Sequence, residues 1–568
     1  MRKQDRAKRA VTLDQHQMSQ AIEPPGKIRA ACLMIPRLGR LWKHPGALLL
    51  GILLFHTINN VIQLSLDQAP LVLNEAMYFE SSGRLLAAVS RGDPQGIIHS
   101  LQGSHPPLHQ IVPLPFYLIL GYSPDIAILS TLPATVVLIL SIYHIGKELQ
   151  DRDAGLMAAA LSVLAPGLFA FSRTYFQEFT LAAMVALSLA LLLKTNHLSR
   201  KWYVVVFGVS TALGLLAKWT YSLFVAAPLF VYVYQSYSKT LRLPGTAMRA
   251  FYQRGRWLPF SIITGLLVAS LWYLPNLGHI RASLKVSGIG IDAGLGTISN
   301  ILHYPRHLYV YQLGPVFSLL ALGSALYLLC VRHRSVGFLS GWFLLPYLFF
   351  TFLVVQNKTG RFVISALPAL MLLIGIACVT LPRRWKHLCI LLLLGAGLIQ
   401  FVSVSYASGV VHLPNRNNIG GPRPNIVDFG QAELVSALNS LLENRSDPLV
   451  TVLDHQIYSS PTLMYLQLMG QLVPFRVYDT GNCTYEGYCD GKPYGFYEEL
   501  FRRSDVVLTD AWLNPPPETF YGSPEHNRIL QAWNATEPLF RDITSLSFPD
   551  GISFPEENQL IVHARRVS

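Results

Sequence analysis

The chain has 568 residues, a mass of 63.2 kDa and a mean hydropathy of +0.36; 51% of it is hydrophobic and only 14% charged. Soluble proteins carry about 25% charged residues, so this composition excludes a soluble enzyme, a disordered chain and a small disulfide scaffold. Apolar runs follow one another from residue 46 to residue 406, the pattern of a polytopic α-helical membrane protein. Residues 411–568 hold 11 Lys+Arg against 19 Asp+Glu, a net of −8, which leaves +21 on the rest. The basic excess lies in short loops between apolar runs, where it sets topology, and is no argument for a nucleic-acid partner.

The N-terminal tail MRKQDRAKRA is basic, and basic residues continue to Lys43. No apolar stretch precedes residue 31, so no cleavable signal peptide is expected. Residues 1–45 read as a cytoplasmic tail and residues 46–66 as the first span. Further apolar runs lie near 125–146, 154–171, 179–194, 203–217, 220–237, 257–275, 308–331, 336–356, 362–381 and 387–406. The stretch LHQIVPLPFYLIL, residues 108–120, is apolar but short and holds Pro113 and Pro115. If it does not cross, the loops with Lys194/Arg200/Lys201, Lys239–Arg256, Arg332/Arg334 and Arg383/Arg384/Lys386 all lie inside. If it does cross, all four move outside, against the positive-inside rule. It reads as a re-entrant or interfacial segment, with about eleven spans in residues 46–410. Residues 411–568 then form an extracytoplasmic α/β domain of a multi-pass protein of a plasma or inner membrane.

On the outer side, LVLNEAMYFESSGRLLAAVSRGD comes after the first span. Leu73, Met77, Leu85 and Val89 fit an apolar helix face, Glu80 and Arg84 can pair at i, i+4, and the segment reads as an amphipathic interfacial helix. Glu75 and Tyr78 lie near its start. His105 precedes Pro-Pro in GSHPPLHQ, and Arg173, Gln177 and Glu178 sit in FSRTYFQEFT, where Arg173 and Glu178 could pair across a turn. Lys218 ends a span, and Lys358 and Arg361 flank QNKTGRF. Residues 276–307 carry His279, Arg281, Lys285, Asp292, His303, Tyr304 and Arg306, with the Gly-rich run SGIGIDAGLG as a lid candidate. Singly, a lysine or arginine at a span end usually snorkels to headgroups. Together, carboxylates and cations at one membrane–water boundary suit a substrate with an anionic headgroup and a lipid tail. Cations hold phosphate, and a carboxylate takes a proton from a hydroxyl.

In the last domain, DPLVTVLD, PFRVYD and DVVLTDAW read as strands, and SSPTLMYLQLMG and GFYEELFRRS as helices, a small three-layer α/β arrangement. No Gly-rich phosphate loop comes after its first strand. Cys483 and Cys489 in GNCTYEGYCDG suggest a local disulfide in an oxidising compartment. Tyr485, Tyr488, Tyr494 and Trp512 suit core packing or sugar stacking.

Several segments, in order, carry a family resemblance: NEAMYFE, SHPPLHQ, DAGLMAAALSVLAPGLFAFSRTYFQE, LGLLAKWTYSLFVAAP and NKTGRFVISALPAL. Over about residues 46–410 the chain resembles the polyprenyl-phosphate-sugar-dependent glycosyltransferases of the GT-C superfamily, which include protein O-mannosyltransferases and the lipid A aminoarabinose transferase. The resemblance implies transfer of a sugar from a polyprenyl phosphate, at the outer side of the membrane, to a lipid, glycan or protein hydroxyl, usually with inversion. In the family an Asp-Glu pair stands in the first outer loop, and its Asp is the acid/base residue. Here that position is Asn74, with Glu75 beside it. Glu75 then becomes the favoured base; Glu178, at an acidic position of the second outer loop, is another. The remaining alternative is a non-catalytic lipid-linked-sugar binding protein or transporter on the same scaffold. Lys218, Lys358 and Arg361 match positions expected near the lipid phosphate. Asn74 and His105 are expected to orient the acceptor, Tyr78 and Arg173 to line the site, and a divalent metal could bridge Glu75 and Glu178.

Overall fold

The computed structural model describes residues 44–71, 74–103, 105–241, 257–286, 297–354, 358–406, 430–453, 460–479, 494–510, 524–547 and 559–566. By internal contacts the chain divides into Met1–Ile52 and Leu53–Ser568, and every element except the first helix lies wholly within the second unit. Cys483, Cys489, Tyr485, Tyr488, Trp512, Leu73, Asp292 and the Gly-rich run lie outside the described residues, as do the side chains of Lys285 and Tyr494.

Among the described residues, the apolar runs of the sequence fall mainly on helices. In chain order these are α1 (Pro45–Leu66), α2 (Asn74–Ser90), α3 (Pro94–Ser100), α4 (Leu108–Ile111), α5 (Leu114–Leu120), α6 (Pro124–Leu129), α7 (Leu132–Leu149), α8 (Arg152–Leu164), α9 (Pro166–Phe171), α10 (Gln177–Lys194), α11 (Lys201–Ala217) and α12 (Tyr221–Leu241). They continue as α13 (Trp257–Tyr273), α14 (Leu277–Val286), α15 (Ile298–His307), α16 (Gly314–Cys330), α17 (Val336–Phe352), α18 (Leu367–Thr380) and α19 (Arg383–Tyr406). Among the described residues, five helical stretches are long and apolar enough to cross a membrane: α1, 124–149, α10, 360–380 and α19. Five shorter apolar stretches accompany them. Leu391, Leu271 and Leu319 expose 69%, 78% and 63% of their surface. Exposed leucines of this kind suit a lipid solvent, and the chain is an integral membrane protein.

Proline sets the breaks. The run 154–171 is interrupted at Ala165, whose ψ of 119° is extended because the ring of Pro166 disfavours a helical residue before it. Residues 108–120 form two short helices separated at Val112–Pro113. Before α18 the chain makes a 3-10 turn, Gly360–Ala366. Small residues let the helices between these breaks approach closely. A Cβ at Gly146 would lie 2.6 Å from Gly155 Cα, and one at Gly155 would lie 2.2 Å from Tyr143 O, which welds α7 to α8. On the other side of α8, a Cβ at Gly375 of α18 would reach Ala154 O at 3.0 Å.

The C-terminal part is a five-stranded sheet with helices on both faces. Its elements are α20 (Gln431–Leu442), β1 (Leu449–Leu453), α21 (Ser460–Leu468), β2 (Arg476–Asp479), α22 (Tyr494–Arg503), β3 (Val506–Asp510), α23 (Pro524–Thr536), β4 (Phe540–Ser547) and β5 (Gln559–Arg565). The strand order is β2-β1-β3-β5-β4, with β1, β2 and β3 parallel and β5 antiparallel to both its neighbours. Alternation along the strands divides the core. Val450, Val452, Val506, Leu508, Leu560 and Val562 pack with Leu434, Leu438, Leu463 and Leu466 of α20 and α21. Leu453 and Val507 pack on the other side with Tyr497, Phe501, Ile529 and Trp533 of α22 and α23.

The first of these cores also takes in Ala76, Phe79 and Tyr117. Tyr465 of α21 meets Phe79 edge-to-face at 5.3 Å, and Thr462 Oγ1 donates to Leu71 O. On its other side Phe79 stacks on Tyr122 at 4.3 Å. Helix α2 is therefore enclosed by protein rather than lying at a lipid interface as its own pattern suggested; Glu75, Tyr78, Glu80 and Ser82 are all buried. The expected pair is formed, with Arg84 Nε 2.8 Å from Glu80 Oε1.

Replacing Gly155 with Val should destabilise the protein by about 2 kcal/mol through overpacking. Gly323→Ala, where an added Cβ meets nothing within 4 Å, should leave thermal unfolding in detergent unchanged.

Candidate active site

Five parts of the chain deliver charged or polar side chains to one buried place: the start of α2, the segment 105–111, the start of α10, the end of α11 and the 3-10 turn. Lys218 stands at the end of α11 in extended conformation, which turns its side chain off the helix axis. Its Nζ donates to Glu178 Oε1 at 2.7 Å, and Arg361 Nε lies 3.5 Å from the same oxygen. Glu178 is 2% exposed. A buried carboxylate needs cations of this kind to be tolerated. Glu178 Oε2 accepts no hydrogen bond from another residue among the described residues.

Arg361 links this pair to α2. With the Asn74 amide oxygen turned to the guanidinium, that oxygen accepts from Arg361 Nη2 at 2.6 Å and Nη1 at 3.0 Å. The guanidinium also lies over the rings of Phe176 and Phe362, at 5.3 and 5.8 Å, which orient it by cation–π attraction. Because Asn74 is neutral, it holds Arg361 without cancelling its charge.

Glu75, one residue on, is held differently. Its Oε1 accepts from the Tyr175 backbone N–H at 2.9 Å, and it makes no salt bridge among the described residues. Burial pushes its carboxyl up to about 8, against the opposing pull of the Tyr175 amide and Arg361. The ring of Tyr78 meets His105 and His109 edge-on at 5.3 and 5.4 Å. Burial, reinforced by Lys218, pushes the His105 imidazole down to about 4, so it is neutral near pH 7. Burial also raises the Tyr78 hydroxyl above its ordinary range.

The structure thus gathers Asn74, Glu75, Tyr78, His105, Glu178, Lys218 and Arg361. Two expected members stand elsewhere. Arg173 does not pair with Glu178: its Nε donates to Asn60 Oδ1 at 3.1 Å and its Nη1 to Ser405 Oγ at 3.1 Å. The turn after α9 aims it at α1 and α19, between the rings of Phe169 and Phe401. Lys358 precedes the 3-10 turn and is engaged elsewhere; its Nζ donates to Asn300 Oδ1 and, at 2.9 Å, to Thr351 O. For the metal expected between Glu75 and Glu178, the described residues supply no third acidic, His or Cys ligand. The bonding oxygen of Glu178 faces two cations, and that of Glu75 faces an amide. His109, Tyr175, Phe176 and Thr180 complete the site and were not singled out by sequence. Their only signal was their place inside SHPPLHQ and RTYFQEFT.

Residues 104–252 match the family of dolichyl-phosphate-mannose-protein mannosyltransferases. Among solved structures, apo ArnT from Cupriavidus metallidurans aligns over 91% of this chain and 97% of its own, at 15% identity and a TM-score of 0.58. The chain has the GT-C glycosyltransferase fold. ArnT bound to undecaprenyl phosphate aligns at 14% identity and a TM-score of 0.51, over the same shares. The oligosaccharyltransferase AglB from Archaeoglobus fulgidus, in complex with an inhibitory peptide and a dolichol-phosphate, shares the GT-C fold at 14% identity and a TM-score of 0.52, over 90% of this chain and 75% of its own. No curated protein matches the chain by sequence.

Replacing Lys218 with Met should leave Glu178 under-compensated and destabilise the protein by about 3 kcal/mol or more. Thermal unfolding in detergent measures that loss, and Glu178→Met, which strips both Lys218 and Arg361 of their carboxylate, should cost at least as much. A single variant as stable as the parent would contradict the pairing.

Proposed function

We propose that the chain is an integral-membrane glycosyltransferase that moves a sugar from a polyprenyl-phosphate donor to an acceptor hydroxyl, with inversion, at the outer face of the membrane. The observation that carries this reading is the division of charge within one buried site. Arg361 and Lys218 form a cation pair held by Glu178 and Asn74, while Glu75 on the same helix turn as Asn74 is a carboxylate with no cation bonded to it among the described residues. The fold shared with ArnT and AglB, whose structures contain undecaprenyl phosphate and dolichol-phosphate, supports a lipid-phosphate donor. The mannosyltransferase family match over 104–252 supports sugar transfer.

In this mechanism Arg361 and Lys218 take the phosphate oxygens and stabilise the charge that grows as the anomeric carbon–oxygen bond breaks. The electron pair leaves with the lipid phosphate. The acceptor oxygen bonds to the anomeric carbon from the opposite side, and its proton passes to Glu75. Glu178 positions the two cations and is a poor base, because its bonding oxygen is already engaged by both. His105, neutral, and Tyr78 line the acceptor side. Lys358 and Arg173 take no part in binding the donor.

In the same reading, residues 1–45 are a cytoplasmic tail, 46–410 carry about eleven spans, and 411–568 form an extracytoplasmic domain; the basic loops support that sidedness. Packing of α21 on α2 gives this domain a place beside the acceptor route. The acceptor belongs to the lipids, glycans or proteins of that compartment. A second reading, a non-catalytic lipid-linked-sugar binding protein or transporter, is favoured by one observation, the neutral Asn74 where the resemblance expects an acid.

The deciding assay is transfer of label from polyprenyl-phosphate hexoses by membranes containing the protein. Glu75→Gln should lower the rate at least about 100-fold with lipid-phosphate binding intact; full activity in that variant would sink the assignment. Since the base must be ionised and its carboxyl is held at about 8, the wild-type rate should rise about tenfold per pH unit below that value and level off above it.

A further inference from the structure

Among the described residues, Glu75 accepts a single hydrogen bond, and that bond comes from backbone. The donor is the N–H of Tyr175, in the short connection between α9 and α10. A connection of this kind has no ladder of its own hydrogen bonds to fix it, so the position of that amide must be set from elsewhere.

His109 is packed against Tyr175, whose hydroxyl also interacts with Ser82 and Tyr117. The Tyr175 hydroxyl donates to His109 O at 2.9 Å, and the two rings stack at 4.3 Å with 27° between their planes. The imidazole reaches back along the same connection: its Nε2 lies 3.4 Å from Tyr175 O and its Nδ1 3.2 Å from Thr180 Oγ1. His109 therefore touches Tyr175 at the carbonyl, the ring and the hydroxyl, and anchors it to the first turn of α10. Both rings are buried, Tyr175 to 1% and His109 to 2% exposure. Edge contact with Tyr78, on the same helix as Glu75, closes the circuit at 5.4 Å. The imidazole makes no hydrogen bond to Glu75 and acts on it through Tyr175.

We propose that His109, Tyr175 and Thr180 form a positioning clamp that holds the Tyr175 backbone N–H on Glu75 and so sets the proton affinity of the reacting carboxylate. The proposal rests on the transferase reading for its catalytic meaning, though the clamp itself can be tested without turnover. A hydrogen bond to the ionised form of a carboxylate favours that form. Loosening the clamp removes that support and leaves burial to dominate, so the Glu75 carboxyl must move upward. The other groups acting on Glu75 are Asp67 and Glu178, which raise it, Arg361, which lowers it, and Tyr465 of α21, whose own hydroxyl feels the Glu75 charge. None of them is touched by a change at Thr180 Oγ1.

The test is an infrared pH titration of the full-length protein in detergent, following the C=O stretch of protonated Glu75, assigned by its loss in Glu75→Gln. The variants are Thr180→Val, which keeps shape and removes the anchor, Tyr175→Phe, which keeps the stack and removes the hydroxyl, and His109→Phe. Thermal unfolding in the same detergent identifies any variant that has lost its fold, and Thr180→Val is the one expected to keep it. The expected result is an upward shift of the Glu75 midpoint by about one pH unit in the folded variants. Where transfer is measurable, the acid limb of its pH profile should move by the same amount. Midpoints unchanged in folded Thr180→Val and Tyr175→Phe would overturn the clamp whatever the transfer assay shows. A shifted midpoint in a protein that transfers no sugar would keep the clamp and count against the transferase reading.

Discussion

The ion cluster on Glu178 is the constraint on which the site depends. Taking a carboxylate and two cations out of water costs several kcal/mol per ion, and only close, well-directed pairing offsets it. A 2.7 Å contact to Lys218 and a 3.5 Å contact to Arg361 require the end of α11, the start of α10 and the 3-10 turn to meet within narrow tolerance. Asn74 then fastens α2 to the cluster through Arg361, and the α/β part of the chain braces α2 from its other side.

This arrangement gives two carboxylates different work. Glu178 is surrounded by charge and serves to hold cations. Glu75, buried and bonded to no cation among the described residues, keeps an affinity for protons near neutral pH. Environments that drive two like groups apart in this way are how acid and base roles are divided in active sites. Asn74 contributes by being neutral: an aspartate there would pair with Arg361, weaken its hold on an anion and push the Glu75 carboxyl further up.

Much of the architecture was legible in the sequence because it depends on local patterns. Apolar runs marked the helices, Pro113 and Pro115 marked the segment that would not form one long helix, and strand–helix alternation after residue 447 marked the sheet. Glu75, Glu178, Lys218 and Arg361 were legible as span-end charges. What escaped depends on contacts distant in the chain. Helix α2 has the pattern of an interfacial helix, and nothing within it reveals that α21, nearly four hundred residues later, covers it. Arg173 and Lys358 look equivalent to Lys218 by position, but the turn after α9 and the residues before the 3-10 turn aim them at Asn60 and Asn300 instead. The strands β4 and β5, and the roles of His109 and Tyr175, likewise have no local signature.

The most direct test of the central claim is whether the Glu178-held cations seat a lipid phosphate. Binding of radiolabelled polyprenyl phosphate and of the corresponding polyprenol should be measured on the detergent-solubilised full chain and on its Arg361→Gln variant. Binding should saturate and prefer the phosphate, with that preference reduced about tenfold or more in the variant. Equal affinity for the alcohol and the phosphate, or an undiminished preference in Arg361→Gln, would contradict it.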